Sequence, residues 1–208
     1  MINIDYESPH WGPFVMKTKV SDEFCNEMLT RANKCKISHN KNLAGHLKSQ
    51  FKYDDTDKRF FYDTLYSYFD SYIREEARWF QEDLPKNDSV PLKPEALWVN
   101  FMKAGDFNPP HYHGGDYSFV LYIDIPKDLP EEIKNYEGQG GVPGAIDFTM
   151  PAANININNY KCLSSHQYSP LKRDFFIFSA HTTHMVYPFK CKGNRVSISG
   201  NLTRMEKL

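Results

Sequence analysis

The sequence predicts a fold that is mainly β with N-terminal helices, an α+β class in which a helical part over 1–90 packs on an antiparallel β body over 91–208. Three observations carry this expectation. An apolar period near 3.6 residues runs through 56–83. From Pro91 onward, short aromatic and β-branched runs alternate with Gly, Pro, Asn and Asp clusters, the texture of an antiparallel sandwich or barrel. The length, 208 residues, suits one domain. Such a chain buries about 70% of the surface it exposes when unfolded, so its core needs neither disulfides nor a structural metal.

Taken in order, Ser21, Asp22 and Glu23 open a helix over 21–37, because hydroxyl and carboxylate oxygens suit the free N–H groups of a helix start. Phe24, Met28 and Leu29 follow at helical spacing, and 39–45 (HNKNLAG) reads as a loop. The second helix spans Thr56 to Asp83. Its stripe is Phe61, Leu65, Phe69, Tyr72, Ile73 and Phe80, Thr56 is its expected N-cap, and Pro85 lies just past its end. Strands are expected in the runs at 96–102, 117–125, 145–150, 175–178, 184–187 and 195–202, with GDFNPP, PKDLP, GQGGVPG, YSPLKRD and KCKGN as turns. The aromatic content is high, 15 Phe, 13 Tyr and 3 Trp, and most of it is expected in the core.

Charge and cysteine usage exclude several classes. Lys+Arg is 25 and Asp+Glu is 26, a net charge of -1. Nucleic-acid binding needs a positive excess that this chain lacks. The four cysteines, Cys25, Cys35, Cys162 and Cys191, form no CxxC pair, which excludes a zinc ribbon and fits a reducing compartment. The start, MINIDYESPHWGPF, lacks the apolar run of a signal peptide, and no stretch approaches the ~20 apolar residues of a membrane span. A cytoplasmic protein is expected, with no membrane and no nucleic-acid partner, and with a homodimer left open.

The histidines are more informative. His10, His39, His46, His166 and His181 stand singly, whereas His111 and His113 are two apart. Positions i and i+2 of a strand share a face, so both imidazoles reach one point. His184 starts a distant apolar run and can supply a third. Such a set leaves coordination positions open for substrate and O2, the logic of non-haem Fe(II) sites with two histidines and one carboxylate. The usual H-x-D/E pattern has a carboxylate where this chain has His113. Two arrangements follow. Either His111, His113 and His184 form a three-histidine site, or Asp116 folds back through Gly114-Gly115 and replaces one of them.

Arg195 lies eleven residues after His184 and opens an alternating run in which Arg195, Ser197 and Ser199 face one side and Val196 and Ile198 the other. An arginine on the inner face of a barrel is costly unless an anion meets it. A carboxylate taking two parallel hydrogen bonds from the guanidinium is the natural partner, with Ser197 as a further donor.

The ordered set Gly105-x5-His111-x-His113, SFVLYIDIP, FFIFSAHTTHMVYP and GNRVSISGNL, over roughly 96–202, resembles the 2-oxoglutarate/Fe(II)-dependent dioxygenases. It looks most like small oxygenase-like proteins of bacteria and phages related to prolyl hydroxylases. The resemblance implies a double-stranded β-helix, or jelly roll, packed against a helical N-terminal part. It implies Fe(II) and 2-oxoglutarate as cofactors, with hydroxylation of a small-molecule or peptide substrate by O2 coupled to decarboxylation of 2-oxoglutarate to succinate. His111 and His184 match the family's histidine ligands, and Arg195, with Ser197 two positions on, matches the grip on the far carboxylate of 2-oxoglutarate. Tyr112, Tyr117 and Tyr122 are candidates for the wall of the site, Tyr122 being the one expected in the core. Two other classes remain. A cupin-type jelly roll holds metal on three histidines without 2-oxoglutarate, and a non-catalytic binding protein keeps only the fold.

Overall fold

The computed structural model describes residues 13–42, 45, 47–84, 90–150 and 165–205. His10, His46, Pro85 and Cys162 lie outside the described residues. Strand β1 (Val15–Lys19) leads into helix α1 (Asp22–Ala32). Ser21 caps that helix as expected, its hydroxyl accepting from the Phe24 N–H at 3.1 Å. The helix ends at Ala32 rather than near residue 37, and Ile37–Ser38 instead form β2. A single 3-10 turn at Asn40–Asn42 follows, then β3 (Gln50–Lys52).

Helix α2 runs from Asp55 to Trp79. Its cap is Asp54, not Thr56: the Asp54 carboxylate accepts from the Asp57 N–H at 2.8 Å. A carboxylate two residues earlier thus takes the role expected of the hydroxyl. The helix closes four residues before Asp83, and Gln81 takes a left-handed φ of 57° just beyond it. Among the described residues, the β body then holds β4 (Leu92–Met102), β5 (Asn108–His111), β6 (Tyr117–Asp124), helix α3 (Leu129–Lys134), β7 (Ile146–Thr149), β8 (Ser165–Tyr168), β9 (Asp174–Ser179), β10 (His184–Val186) and β11 (Arg195–Arg204). Five strands, β1, β2, β3, β5 and β8, and helix α3 fall outside the runs expected from sequence. The prolines of PKDLP do not break structure: Pro130 sits in the first turn of α3, where a missing N–H is harmless.

Two antiparallel sheets face each other. The larger has the order β1-β9-β6-β11-β4-β3-β2 and the smaller β5-β10-β7-β8. From β4 onward the chain steps between them: β4 large, β5 small, β6 large, β7 and β8 small, β9 large, β10 small, β11 large. This is the winding of a jelly roll. The N-terminal part contributes both helices and three strands, β1 at one edge of the large sheet and β3 and β2 at the other, so the large sheet joins both halves of the chain.

Strand alternation assigns the two faces of the large sheet. Phe119, Leu121, Phe175, Ile177, Val196 and Ile198 point outward against α1 and α2, meeting Phe24, Met28, Phe61, Leu65 and Phe69. Phe119 stacks on Phe61 at 5.2 Å and touches Phe69 at 5.2 Å. The α2 stripe from Phe61 to Ile73 is therefore core, as the periodicity predicts, but Phe80 is not: it lies just past the end of α2 and is 51% exposed. Gly200 lets this layer close, because a Cβ there would lie 2.6 Å from the Phe119 ring and 2.8 Å from the Tyr62 hydroxyl. Val120, Tyr122, Phe176 and Phe178 point the other way and pack on Ile146, Phe148 and Val186 of the small sheet. The space left between the sheets, beyond this second cluster, is the candidate site. Among the described residues, no helix is long and apolar enough to cross a membrane.

Candidate metal centre

Strand β4 ends at Met102, and Gly105, at φ 83°, turns the chain back toward the small sheet. Strand β5 then pairs with β10, placing His111 directly opposite His184 and Asn108 opposite Val186. Three steps on β5 answer two on β10, so β5 is bulged, and a bulge re-aims the side chains beside it. Pro109 and Pro110 are tolerated because β5 is an edge strand.

The local hydrogen bonds fix both rings. The Pro109 carbonyl accepts from His111 Nδ1 at 2.7 Å, and the Thr182 carbonyl accepts from His184 Nδ1 at 2.9 Å. A carbonyl only accepts, so each Nδ1 carries the proton and each Nε2 keeps its lone pair. His113 lies past the end of β5, not on it; its N–H donates to the Ala180 carbonyl at 2.8 Å and brings the ring beside the other two. The two imidazoles converge as expected, but through this backbone bond and not through strand alternation, with Tyr112 between them 69% exposed. His113 Nε2 is 3.3 Å from His184 Nε2, and ligand atoms of His111, His113 and His184 all lie within 4.8 Å of one another. Burial pushes the His184 imidazolium down to about 3 and that of His113 to about 4, with the neighbouring imidazoles adding to it, and lowers that of His111. At neutral pH all three are uncharged, the form that ligates metal.

Asp116 takes no part in this cluster. Its carboxylate accepts from the Arg204 N–H at 2.7 Å, and its own N–H and carbonyl are tied to Leu202 and Ala180. Of the two arrangements open from sequence, the geometry assembles the three histidines. Among the remaining histidines, His39 lies against Trp98, His166 against Tyr168, and His181 is exposed.

Arg195, Ser197 and Ser199 face the space between the sheets as the alternation predicts. Arg195 is 3% exposed. Its Nη2 donates to the Tyr122 hydroxyl at 3.3 Å, its Nη1 to the Met102 sulfur at 2.9 Å, and its guanidinium sits 4.8 Å from the centre of the Tyr122 ring. The Nε–H has no partner, and among the described residues no carboxylate forms a salt bridge with the guanidinium. A buried cation so placed strongly favours an anionic ligand. Tyr122 is thus both core and partner of Arg195. Tyr117 packs on Tyr72 on the helix side, and only Tyr112 of the three tyrosines lines the cavity.

The cavity, about 190 Å³, is lined by the three histidines, Arg195, Ser197 and Ser199 together with Gln50, Trp98, Asn100 and Asn108. Sequence reasoning missed these last four. Asn100 carried a signal: in ALWVNFM, alternation puts Trp98, Asn100 and Met102 on the inner face, where a lone amide needs a partner. Gln50 carried none, because its three-residue strand has no period to read. Asn100 Nδ2 donates to Ser197 and Ser199 Oγ, each at 3.3 Å, and Gln50 Nε2 donates to Asn100 Oδ1 at 2.8 Å.

A jelly roll carrying three convergent histidines and a buried arginine without a carboxylate partner has the layout of a metal-binding jelly roll with a seat for an anion. The family profile described as "Putative 2OG-Fe(II) oxygenase" matches residues 96–201, and the chain belongs to that family, whose cofactors are Fe(II) and 2-oxoglutarate. No curated protein matches it in sequence. Among solved structures, the chain is similar to the viral collagen prolyl hydroxylase of Paramecium Bursaria Chlorella virus-1, solved with 2-oxoglutarate, at 16% identity and TM-score 0.59, covering 93% of this chain and 98% of that one. A 2OG-Fe(II) oxygenase family protein from Burkholderia pseudomallei aligns at 8% identity and TM-score 0.61, covering 92% and 84%. A Pseudomonas putida prolyl-4-hydroxylase aligns at 12% and 0.56, covering 92% and 93%. At these identities the likeness shows the fold.

Proposed function

We propose that the protein is an Fe(II)- and 2-oxoglutarate-dependent hydroxylase in which His111, His113 and His184 hold the metal and Arg195, with Ser197, holds the far carboxylate of 2-oxoglutarate. The observation that carries this is one cavity with a buried, anion-seeking guanidinium and three neutral imidazoles whose free nitrogens converge. The donor set suits Fe(II), since imidazole is a good ligand for iron. The bound iron and its cosubstrate supply the redox chemistry, in which O2 oxidises a substrate C–H bond as 2-oxoglutarate loses CO2 to give succinate.

The chain's own residues bind, orient and exclude water. The Pro109 and Thr182 carbonyls hold the imidazole tautomers that leave Nε2 free. Tyr122 orients Arg195 from below and beside, so the free Nε–H is directed by a rigid frame. Asn100 donates to Ser197, which leaves the Ser197 hydroxyl proton for a carboxylate. Trp98, Val120, Ile146, Phe178 and Val186 give the cavity apolar walls that limit the entry of water.

The test is anaerobic addition of Fe(II) and 2-oxoglutarate, read as the weak metal-to-ligand charge-transfer band in the visible. The band is expected in the wild type and lost in Arg195→Met at the same 2-oxoglutarate concentration. Metal binding without the band would favour a cupin-type three-histidine site. No metal binding would leave a jelly roll that only binds ligands.

A further inference from the structure

Gln50 is 2% exposed, lines the cavity, and among the described residues its Oε1 meets no hydrogen-bond donor. It stands at the end of a row that crosses three strands: Gln50 faces Asn100 across β3 and β4, and Asn100 faces Ser197 across β4 and β11. The bonds along this row have a direction, held at Asn100 by the two serines that accept from its Nδ2. A carboxylate held at Arg195 and Ser197 accepts a hydrogen bond from the Ser197 hydroxyl. Ser197 Oγ then accepts from Asn100 Nδ2 at 3.3 Å, and Asn100 Oδ1 is left to accept from Gln50 Nε2 at 2.8 Å. The free end of the row is therefore Gln50 Oε1, a bare acceptor.

2-Oxoglutarate does not answer that acceptor, because its two carboxylates and its ketone only accept hydrogen bonds. Asn108, on the opposite sheet, adds a second buried oxygen without a partner on the wall of the same cavity. A buried acceptor left bare is costly, so the molecule that completes the site brings donors.

We infer that Gln50 is a specificity-determining residue whose Oε1 accepts a hydrogen bond from the primary substrate, and that this substrate carries an amide, amine or hydroxyl donor. The inference rests on the reading of Arg195 and Ser197 as the seat of the 2-oxoglutarate carboxylate. The row already runs this way without the cosubstrate, so a carboxylate at Ser197 would hold its direction, with Gln50 Oε1 as its bare end.

The experiment uses the full chain loaded with Zn(II), which is redox-inert, and 2-oxoglutarate. The probes are pyrrolidin-2-one and N-methylpyrrolidin-2-one, alike except for one N–H, titrated by ligand-observed NMR. The wild type is expected to bind the N–H form about tenfold more tightly, and Gln50→Met, similar in length, to bind both alike. Gln50→Glu keeps an acceptor and keeps the preference, and this arm decides even where Gln50→Met does not fold. Equal binding of the two probes to the wild type, binding of neither, an undiminished preference in Gln50→Met, or its loss in Gln50→Glu would overturn the inference. Glutarate, which lacks the keto group, separates the premise from the inference. Its binding should be the same in Gln50→Met as in the wild type and weaker in Arg195→Met. If Arg195→Met leaves glutarate binding unchanged, the cosubstrate reading itself has failed.

Discussion

His111 and His184 sit opposite each other across the β5–β10 pair, with ring centres 4.3 Å apart and each Nδ1 tied to a backbone carbonyl two residues before it. One strand pairing thus supplies two of the three imidazoles and fixes the tautomer of both.

The third imidazole comes from outside that pairing, which makes its replacement informative. His111→Ala and His184→Ala should weaken Fe(II) binding by roughly a hundredfold or more, since each removes a ligand the backbone has already oriented. His113→Asp restores the carboxylate of the usual motif and should retain iron, whereas His113→Ala should not. Metal content after gel filtration, measured by mass spectrometry, distinguishes these outcomes.

The metal-free protein should lose stability as the pH falls. Burial depresses the folded-state values of His113 and His184 to about 4 and about 3, below the ordinary 6.5. Between 6.5 and those values the unfolded chain binds more protons than the folded one, so the stability is complete above 6.5 and is lost on acidification. The slope approaches about 1.4 kcal/mol per pH unit for each histidine coupled in this way. Urea midpoints in the presence of a chelator should show it, and His184→Asn should flatten it.

Arg195→Met should raise the 2-oxoglutarate requirement by about 2–5 kcal/mol in binding free energy, the range for a desolvated charge pair. Arg195→Lys should recover only part of this, because a single ammonium cannot replace the planar guanidinium that reaches both Tyr122 and Met102. Tyr122→Phe should cost about 0.5–1.5 kcal/mol, one hydrogen bond. Calorimetric titration of 2-oxoglutarate ranks the three.

Two stability variants check the helical layer. Phe119→Ala removes the ring that stacks on Phe61 and touches Phe69 and should destabilise the fold by about 3–5 kcal/mol. Asp54→Ala should cost about 1 kcal/mol, the usual worth of a helix cap, while Thr56→Ala should be nearly silent. Chemical denaturation reads both.

What the sequence makes legible here is periodicity on long elements. The alternation of Arg195, Val196, Ser197 and Ile198 reads correctly because one face meets helices and the other a cavity. The α2 stripe reads correctly from Phe61 to Ile73 for the same reason, and fails at Phe80, where the helix has already ended. Short strands are different. Strands β2 and β3 are two and three residues long, and β1 exists only because it finds β9 more than 150 residues away, a long-range pairing with no local trace. The end of α2 escaped notice because a glutamine, not a glycine, takes the left-handed turn. The three histidines were legible as candidates from spacing alone, but the preference for His113 over Asp116 depends on where the Arg204 amide lies, which only the folded chain reveals.

The prolines of β5 have an effect beyond shaping the approach to His111. An outer strand is normally a template on which any extended segment can add itself, whether a neighbouring molecule, an unfolded chain or a peptide. Pro109 and Pro110 have no N–H to offer, and the Pro109 carbonyl is already taken by His111. The border of the small sheet nearest the histidines is thereby closed to strand addition, so any partner reaching this side of the molecule must be met by side chains and not by the sheet's backbone.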